Sequence, residues 1–212
     1  MAVITISRQS GSEGNEIARI LCEKLGYRLF DKALIIQLAE KLGQEPEKSA
    51  DETEGLSKAR ALVERILNPL QPGIDSHHLA HKALSLENGS IMTKTQVRDL
   101  ILAAHSQGNV VIVGRGSQVV LAGMPDVLHV RIVAPLERRI QNWQEREGLS
   151  FEDASKRVHD RDKAHVDFVK HYFDTDIGDP ALYDMVINTA KFPPDIAADL
   201  IIEGLRHLHP PD

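Results

Sequence analysis

Cysteine is almost absent from this chain of 212 residues: Cys22 stands alone. A single thiol cannot build a disulfide framework or a C-x-x-C metal site, and such poverty suits a reducing compartment. Aromatic side chains are scarce at 4 %, which argues against the base-stacking platforms used for single-stranded nucleic acids. Positive charge is also short. Lysine and arginine number 25 against 31 acidic residues, a net charge of −6, so nucleic acid is not an expected partner. No apolar run reaches the length needed to cross a bilayer. The first residues enter a strand-like stretch without a leader pattern. A soluble, cytoplasmic protein with no membrane partner is therefore expected.

What remains is ordinary for a globular domain, with 42 % hydrophobic and 26 % charged residues. The length supports one α/β core and a small inserted lobe. The first organised stretch runs from Val3 to Leu25. Val3, Ile4 and Ile6 read as a buried strand, and Gly11-Ser12-Glu13-Gly14 as a turn. Ile17, Ile20, Leu21 and Leu25 then recur at helical spacing up to Gly26. Strand, glycine-bearing turn and helix are the parts of a phosphate-binding loop. Glycines let the backbone approach an anion, successive N–H groups converge, and the helix N-terminus adds partial positive charge. The strict spacing G-x-x-x-x-G-K-S/T is not met. Asn15 and Glu16 hold the lysine and hydroxyl positions, and Gln9 stands where the first glycine belongs.

Tyr27 to Phe30 is a second strand candidate, and Asp31 is placed to cap a helix from Lys32 to Leu42. Gln44 to Gly55 is acidic and polar and reads as a mobile connection. From Leu56 to Ser106 the pattern is helical without strands, with segments around Ala61–Ile66, His77–Leu86 and Thr93–Ala104. Strands return at Asn109–Val113, whose unbroken apolar run suits a central parallel strand. That strand ends in Gly114-Arg115-Gly116. Val127–Val133 is the fourth strand, Pro135 opens a helix, and Ser150 with Asp153 caps a long one through about Phe173. Tyr183–Asn188 is the fifth strand and Asp195–Leu208 the last helix. Five strands alternating with helices predict a parallel sheet covered on both faces, with ligands beyond the strands' carboxyl ends. The Gly11–Gly14 turn, Asp31, Arg115 and Thr189 all fall on that rim.

Other charged groups have plainer readings beside sharper ones. Arg157, Arg161 and Lys163 alternate with Asp160 and Asp162, giving either a phosphate-closing face or a surface ion-pair network. Arg138, Arg139 and Arg146 are expected to coat a helix. His77, His78 and His81 have metal-like spacing but lack the carboxylate of H-E-x-x-H. Asp174, Asp176 and Asp179 beside Pro180 fit a turn better than a cation site. Asn188 and Thr189 are candidates for contact with a donor base, and Cys22 reads as packing. No metal site is predicted from residue clusters.

Assembled, these stretches resemble the cytidylate kinase-like family of P-loop nucleoside monophosphate kinases, in its variant branch. The resemblance is carried by Ile4-Thr5-Ile6-Ser7-Arg8-Gln9, Gly11-Ser12-x-Gly14-x-Glu16-Ile17, Phe30-Asp31-Lys32 and Val111-Ile112-Val113-Gly114-Arg115-Gly116. Asp160-Arg161-Asp162, Gly178-Asp179-Pro180 and Tyr183-Asp184-x-Val186-Ile187-Asn188-Thr189 follow in order, leaving only Gln44 to Gln96 unmatched. The resemblance implies a single P-loop NTPase-type three-layer α/β domain over residues 1–212, with a five-stranded parallel sheet. It also implies a helical acceptor-binding insertion near residues 44–106 and a lid near residues 138–175. The implied activity is phosphoryl transfer from ATP, with Mg²⁺, to a nucleoside monophosphate, CMP or dCMP foremost. Gly11, Ser12, Glu13, Gly14, Asn15 and Glu16 would surround the donor phosphates. Asp31 and Arg115 would meet the acceptor, and Arg157, Arg161 and Lys163 would close from the lid. Arg8 is the nearest cation to replace the missing lysine. Loss of that lysine and of the hydroxyl, with Val113 in place of a Walker B acid, leaves open a nucleotide-binding module that regulates a partner. The unmatched stretch from Gln44 to Gln96 leaves open a kinase of a non-nucleotide small molecule. A homo-oligomer is also left open.

Overall fold

The computed structural model describes residues 2–35, 38, 52–67 and 93–208. Five strands form one sheet: β1 (Val3–Arg8), β2 (Arg28–Phe30), β3 (Val110–Val113), β4 (Val127–Val133) and β5 (Met185–Asn188), in the order β2-β3-β1-β4-β5 with every pair parallel. The helices are α1 (Gly14–Leu25), α2 (Glu52–Leu67), α3 (Lys94–Gln107), α4 (Ser117–Val120), α5 (Leu136–Glu147), α6 (Phe151–Phe173) and α7 (Pro194–Arg206). This is the parallel sheet covered on both faces that the alternation of strands and helices predicts, and it agrees with the three-layer α/β fold that the resemblance implies.

Strand periodicity divides the core into two layers. Val3, Val110, Ile112 and Val127 face Ala59 and Val63 of α2 and Val97, Leu100, Ile101 and Ala104 of α3. Ile4, Ile6, Val111, Val113, Val130 and Ile132 face Ile17, Ala18 and Leu21 of α1 and Ala197, Ala198 and Ile201 of α7. A third, small core of Ile140, Trp143, Ala154 and Val158 joins α5 to α6. Gly148 ends α5 in the left-handed region, and the Ser150 hydroxyl accepts from the Asp153 N–H to start α6. The two helices thus form a hairpin beyond the β4 end.

Several boundaries differ from the sequence expectations. Residues 52–55, read as the end of a mobile acidic connection, lie in the first turn of α2. Arg139 does not coat a helix surface: it is 7 % exposed, because α5 packs that side against the β1–α1 loop. The helical segment His77–Leu86, the histidines His77, His78 and His81, and most of the acidic connection lie outside the described residues.

Candidate active site

The β1–α1 loop leaves the start of α1 without a side-chain cap. Glu13 takes a left-handed φ of 62° and supplies no side-chain cap to α1. The first N–H groups of the helix, on Gly14, Asn15 and Glu16, therefore lack both intrahelical partners and a cap, as anion sites at helix ends require. A Cβ on Gly14 would meet Arg8 Cβ at 2.6 Å, so glycine there lets strand and helix approach. The rest of the loop is braced from outside. Trp143 Nε1 donates to Ser10 Oγ (3.0 Å), Asn142 Nδ2 to Gly11 O (2.8 Å) and Arg139 Nη1 to Ser10 O (3.2 Å). Asp162 Oδ1 accepts the Ser10 N–H at 2.7 Å. Ser12 Oγ is bonded to Gln9 O and Ile132 O, and Thr189 Oγ1 donates to Ser12 O at 3.3 Å. Thr189 is only 5 % exposed, so it serves the loop, and Asn188 Oδ1 is occupied by the Ala190 N–H.

Arg8 leaves the end of β1 and connects this loop to the opposite rim. Its Nε donates to Asn15 Oδ1 at 3.0 Å, so the residue replacing the P-loop lysine orients a different cation. The far end of the guanidinium passes over Gly114, where a Cβ would land on Nη1. Burial lowers the Arg8 pKa to about 10; the Asp31 carboxylate opposes the fall, while Arg115 and Arg161 deepen it. Those causes fix which charges lie around Arg8. Asp31 caps residues 32–35 through the Leu34 N–H (3.0 Å). Arg115, at φ 58° between Gly114 and Gly116, lies 5.0 Å from the Phe168 ring centroid. Its pKa is also lowered, chiefly by burial, and its Nε has no hydrogen-bond partner among the described residues.

Two residues of this cluster carry no sequence motif. Arg131, in the apolar strand β4, donates to Ser7 Oγ (3.1 Å) and to the Tyr183 hydroxyl (3.0 Å). A charge inside the run Val127-Leu128-His129-Val130-Arg131-Ile132-Val133 was the signal to read. His165 follows Arg161 by one helical turn on α6. Burial, then Arg8 and Arg131, pull its pKa down to about 4, and its Nε2 lacks a partner among the described residues. Arg8, Arg115, Arg131, Arg161 and His165 thus gather on one rim with Asp31 and Asp162 as the acidic counterweights. The four arginines outnumber the two carboxylates, and such an excess of positive charge favours a polyanionic ligand.

The remaining predicted residues stand differently. Arg157 is paired with Glu147 and lies 5.2 Å from the Trp143 ring centroid, on which Arg146 and Arg161 also converge. Lys163 is exposed. Glu16 pairs with Arg19 at 2.5 Å, and that contact lowers its pKa while drawing the carboxylate along the outer face of α1. Asp174 pairs with Lys170, and Asp176 and Asp179 accept the N–H groups of Gly178 and Ala181, as a turn requires. Among the described residues no three histidine, cysteine or acidic side chains cluster as a metal site. Mg²⁺ in phosphoryl-transfer sites needs only one or two carboxylates beside phosphates and water. Of Glu13, Glu16 and Asp31, Glu16 is turned to Arg19, and Asp31 Oδ1 accepts the Leu34 N–H while its charge lies near Arg8.

The profile of the cytidylate kinase-like family matches residues 3–191. A cytidylate kinase from Thermococcus kodakarensis is 26 % identical over 209 residues, covering 98 % of this chain and 90 % of its own. A uronate isomerase from Corynebacterium glutamicum is 30 % identical over 128 residues; that alignment takes in 60 % of this chain but only 24 % of the relative's length. Among solved structures, an uncharacterized protein from Eubacterium ventriosum superposes with a TM-score of 0.67 at 23 % identity, covering 97 % of this chain and 98 % of the other. A shikimate kinase from Bacteroides thetaiotaomicron superposes with a TM-score of 0.50 at 11 % identity, covering 97 % and 98 %. Both likenesses concern the fold.

Proposed function

Because this chain belongs to the cytidylate kinase-like family, we propose that it transfers the γ-phosphoryl group of ATP to a nucleoside monophosphate, CMP or dCMP foremost. The observation that carries this reading is Arg8, held by Asn15 beside the α1 N-terminus while its charge meets Asp31, Arg115 and Arg161. One cation thereby spans the donor loop and the acceptor rim, where charge develops during transfer.

In this reading Gly11, Ser12, Glu13, Gly14, Asn15 and Glu16 surround the donor phosphates with main-chain N–H groups. Arg115 grips the acceptor phosphate, and Asp31 orients the acceptor beside it. Arg161 closes from α6; Arg157 and Lys163 assist from the lid only after turning from their present surroundings. The insertion near residues 44–106 supplies the acceptor pocket, and residues 138–175 act as the lid. Phosphoryl transfer needs little covalent help from protein, so alignment and fixed positive charge carry the rate. Bound Mg²⁺ supplies further neutralisation of phosphate charge. The test is a coupled ADP-release assay with ATP and Mg²⁺ against CMP, dCMP, UMP, AMP and GMP, with Arg115→Ala as control. Turnover with a cytidine monophosphate that is lost in the control supports the proposal; turnover with none of the five refutes it.

A second reading rests on the Glu16–Arg19 pair, which turns away the carboxylate that stands in place of the P-loop hydroxyl. It describes a nucleotide-binding module without catalysis, and predicts that ATP raises the melting temperature while no ADP forms.

A further inference from the structure

We propose that Asp162 is a positioning residue for the donor-phosphate loop, locking the lid helix and the loop into one register; this rests on the kinase reading above. The loop is held chiefly by α5, through Arg139, Asn142 and Trp143. From α6 it receives the Asp162 carboxylate, which does two things at once. Oδ1 accepts the Ser10 N–H at 2.7 Å, and Oδ2 pairs with Arg139 Nη1 at 2.5 Å.

Each contact depends on the other. Arg139 is 7 % exposed, and its Nε is already given to Ala134 O at 3.0 Å. A guanidinium so far from water needs a carboxylate, and removing one member of a buried pair leaves an uncompensated charge. The same Nη1 also donates to Ser10 O at 3.2 Å, so the Ser10 residue is clasped on both its N–H and its carbonyl. Gly11 follows at φ 81°, and a Cβ there would collide with Arg139 O. The loop thus follows the path that Arg139 and Asp162 define, three residues before the N–H groups that open α1.

The helix that carries Asp162 also carries Arg161, His165 and Phe168, the last stacked on Arg115. Asp162 therefore sets the distance between the donor loop and the groups that face the acceptor. Removing an ordinary fold-supporting ion pair would lower stability alone. Removing a positioning carboxylate lowers affinity for the donor in protein that remains fully folded.

The experiment measures binding of the non-hydrolysable analogue AMP-PNP by calorimetry at 20 °C for wild type, Asp162→Asn, Asp162→Glu and Ile201→Ala. Ile201 is a core residue of α7, so its truncation reports destabilisation without touching the loop. Hydrogen exchange of the Ser10 amide is read in the same proteins by NMR. The expected result is AMP-PNP binding at least about tenfold weaker in Asp162→Asn and intermediate in Asp162→Glu, against an unchanged affinity in Ile201→Ala. Ser10 exchange is slow in wild type and fast in Asp162→Asn. Equal affinities in Asp162→Asn and wild type, or fast Ser10 exchange in wild type, overturn the inference. Wild type that fails to bind AMP-PNP removes the donor site and this inference with it.

Discussion

Gly114→Ala is the sharpest single perturbation of the account, because its effect should reach catalysis before stability. The glycine has φ 76°, and an added Cβ would fall on Arg8 Nη1, with Cζ next at 3.5 Å. Placing alanine in the left-handed region costs about 1–2 kcal/mol. For a domain of this size that corresponds to a fall in Tm of about 2–8 °C. The clash itself is relieved cheaply, since the obstructing atom is the free end of a flexible side chain. What the relief displaces is the guanidinium that spans the two halves of the site. Loss of a preorganised donor at the reacting charge lowers turnover about 10²–10³-fold. The assay is a double-mutant cycle of Arg8→Ala and Gly114→Ala, reading kcat/KM with ATP and CMP and Tm for all four proteins. If Gly114 acts through Arg8, the double variant is no slower than Arg8→Ala. Wild-type turnover in Gly114→Ala, or turnover losses that multiply, would refute the reasoning.

Three further outcomes follow. His165, with a pKa lowered to about 4 in the fold, binds a proton less readily than the unfolded chain. Its contribution to stability is therefore lost as pH falls from about 6.5 to 4, amounting to about 3 kcal/mol at most; Tm measured from pH 7 to 4 should fall less steeply in His165→Gln, and parallel curves would contradict this. Arg139→Met leaves the partly buried Asp162 unpaired and should destabilise the protein by about 3 kcal/mol, read by urea unfolding. Burial pushes the Cys22 thiol up to about 12, so it should resist DTNB at pH 8 in native protein and react at once in urea.

How much was legible in the sequence depended on whether a residue's neighbours were close along the chain. Val110–Val113 declared itself a central strand because both its faces are buried, and Gly114-Arg115-Gly116 marked where that strand ends. Arg8 and Asn15, seven residues apart, could be associated by proximity alone. The sheet order could not, since parallel strands pair across long crossovers. Arg131 was missed for the same reason: its partners Ser7 and Tyr183 are 124 and 52 residues away. Arg139 looked like a surface charge because helical periodicity reports a face, not what packs on it. Thr189 was placed on the correct rim, yet its hydroxyl turns inward to Ser12 O, a direction no local pattern encodes.

The central claim is phosphoryl transfer across the rim that Arg8 spans, and ³¹P NMR of ATP, Mg²⁺ and CMP mixed with the protein tests it most directly. CDP and ADP should appear together in equal amounts, with both resonances absent when Arg8→Ala replaces wild type under the same conditions. Intact ATP and CMP, or ADP accompanied only by inorganic phosphate, would contradict it.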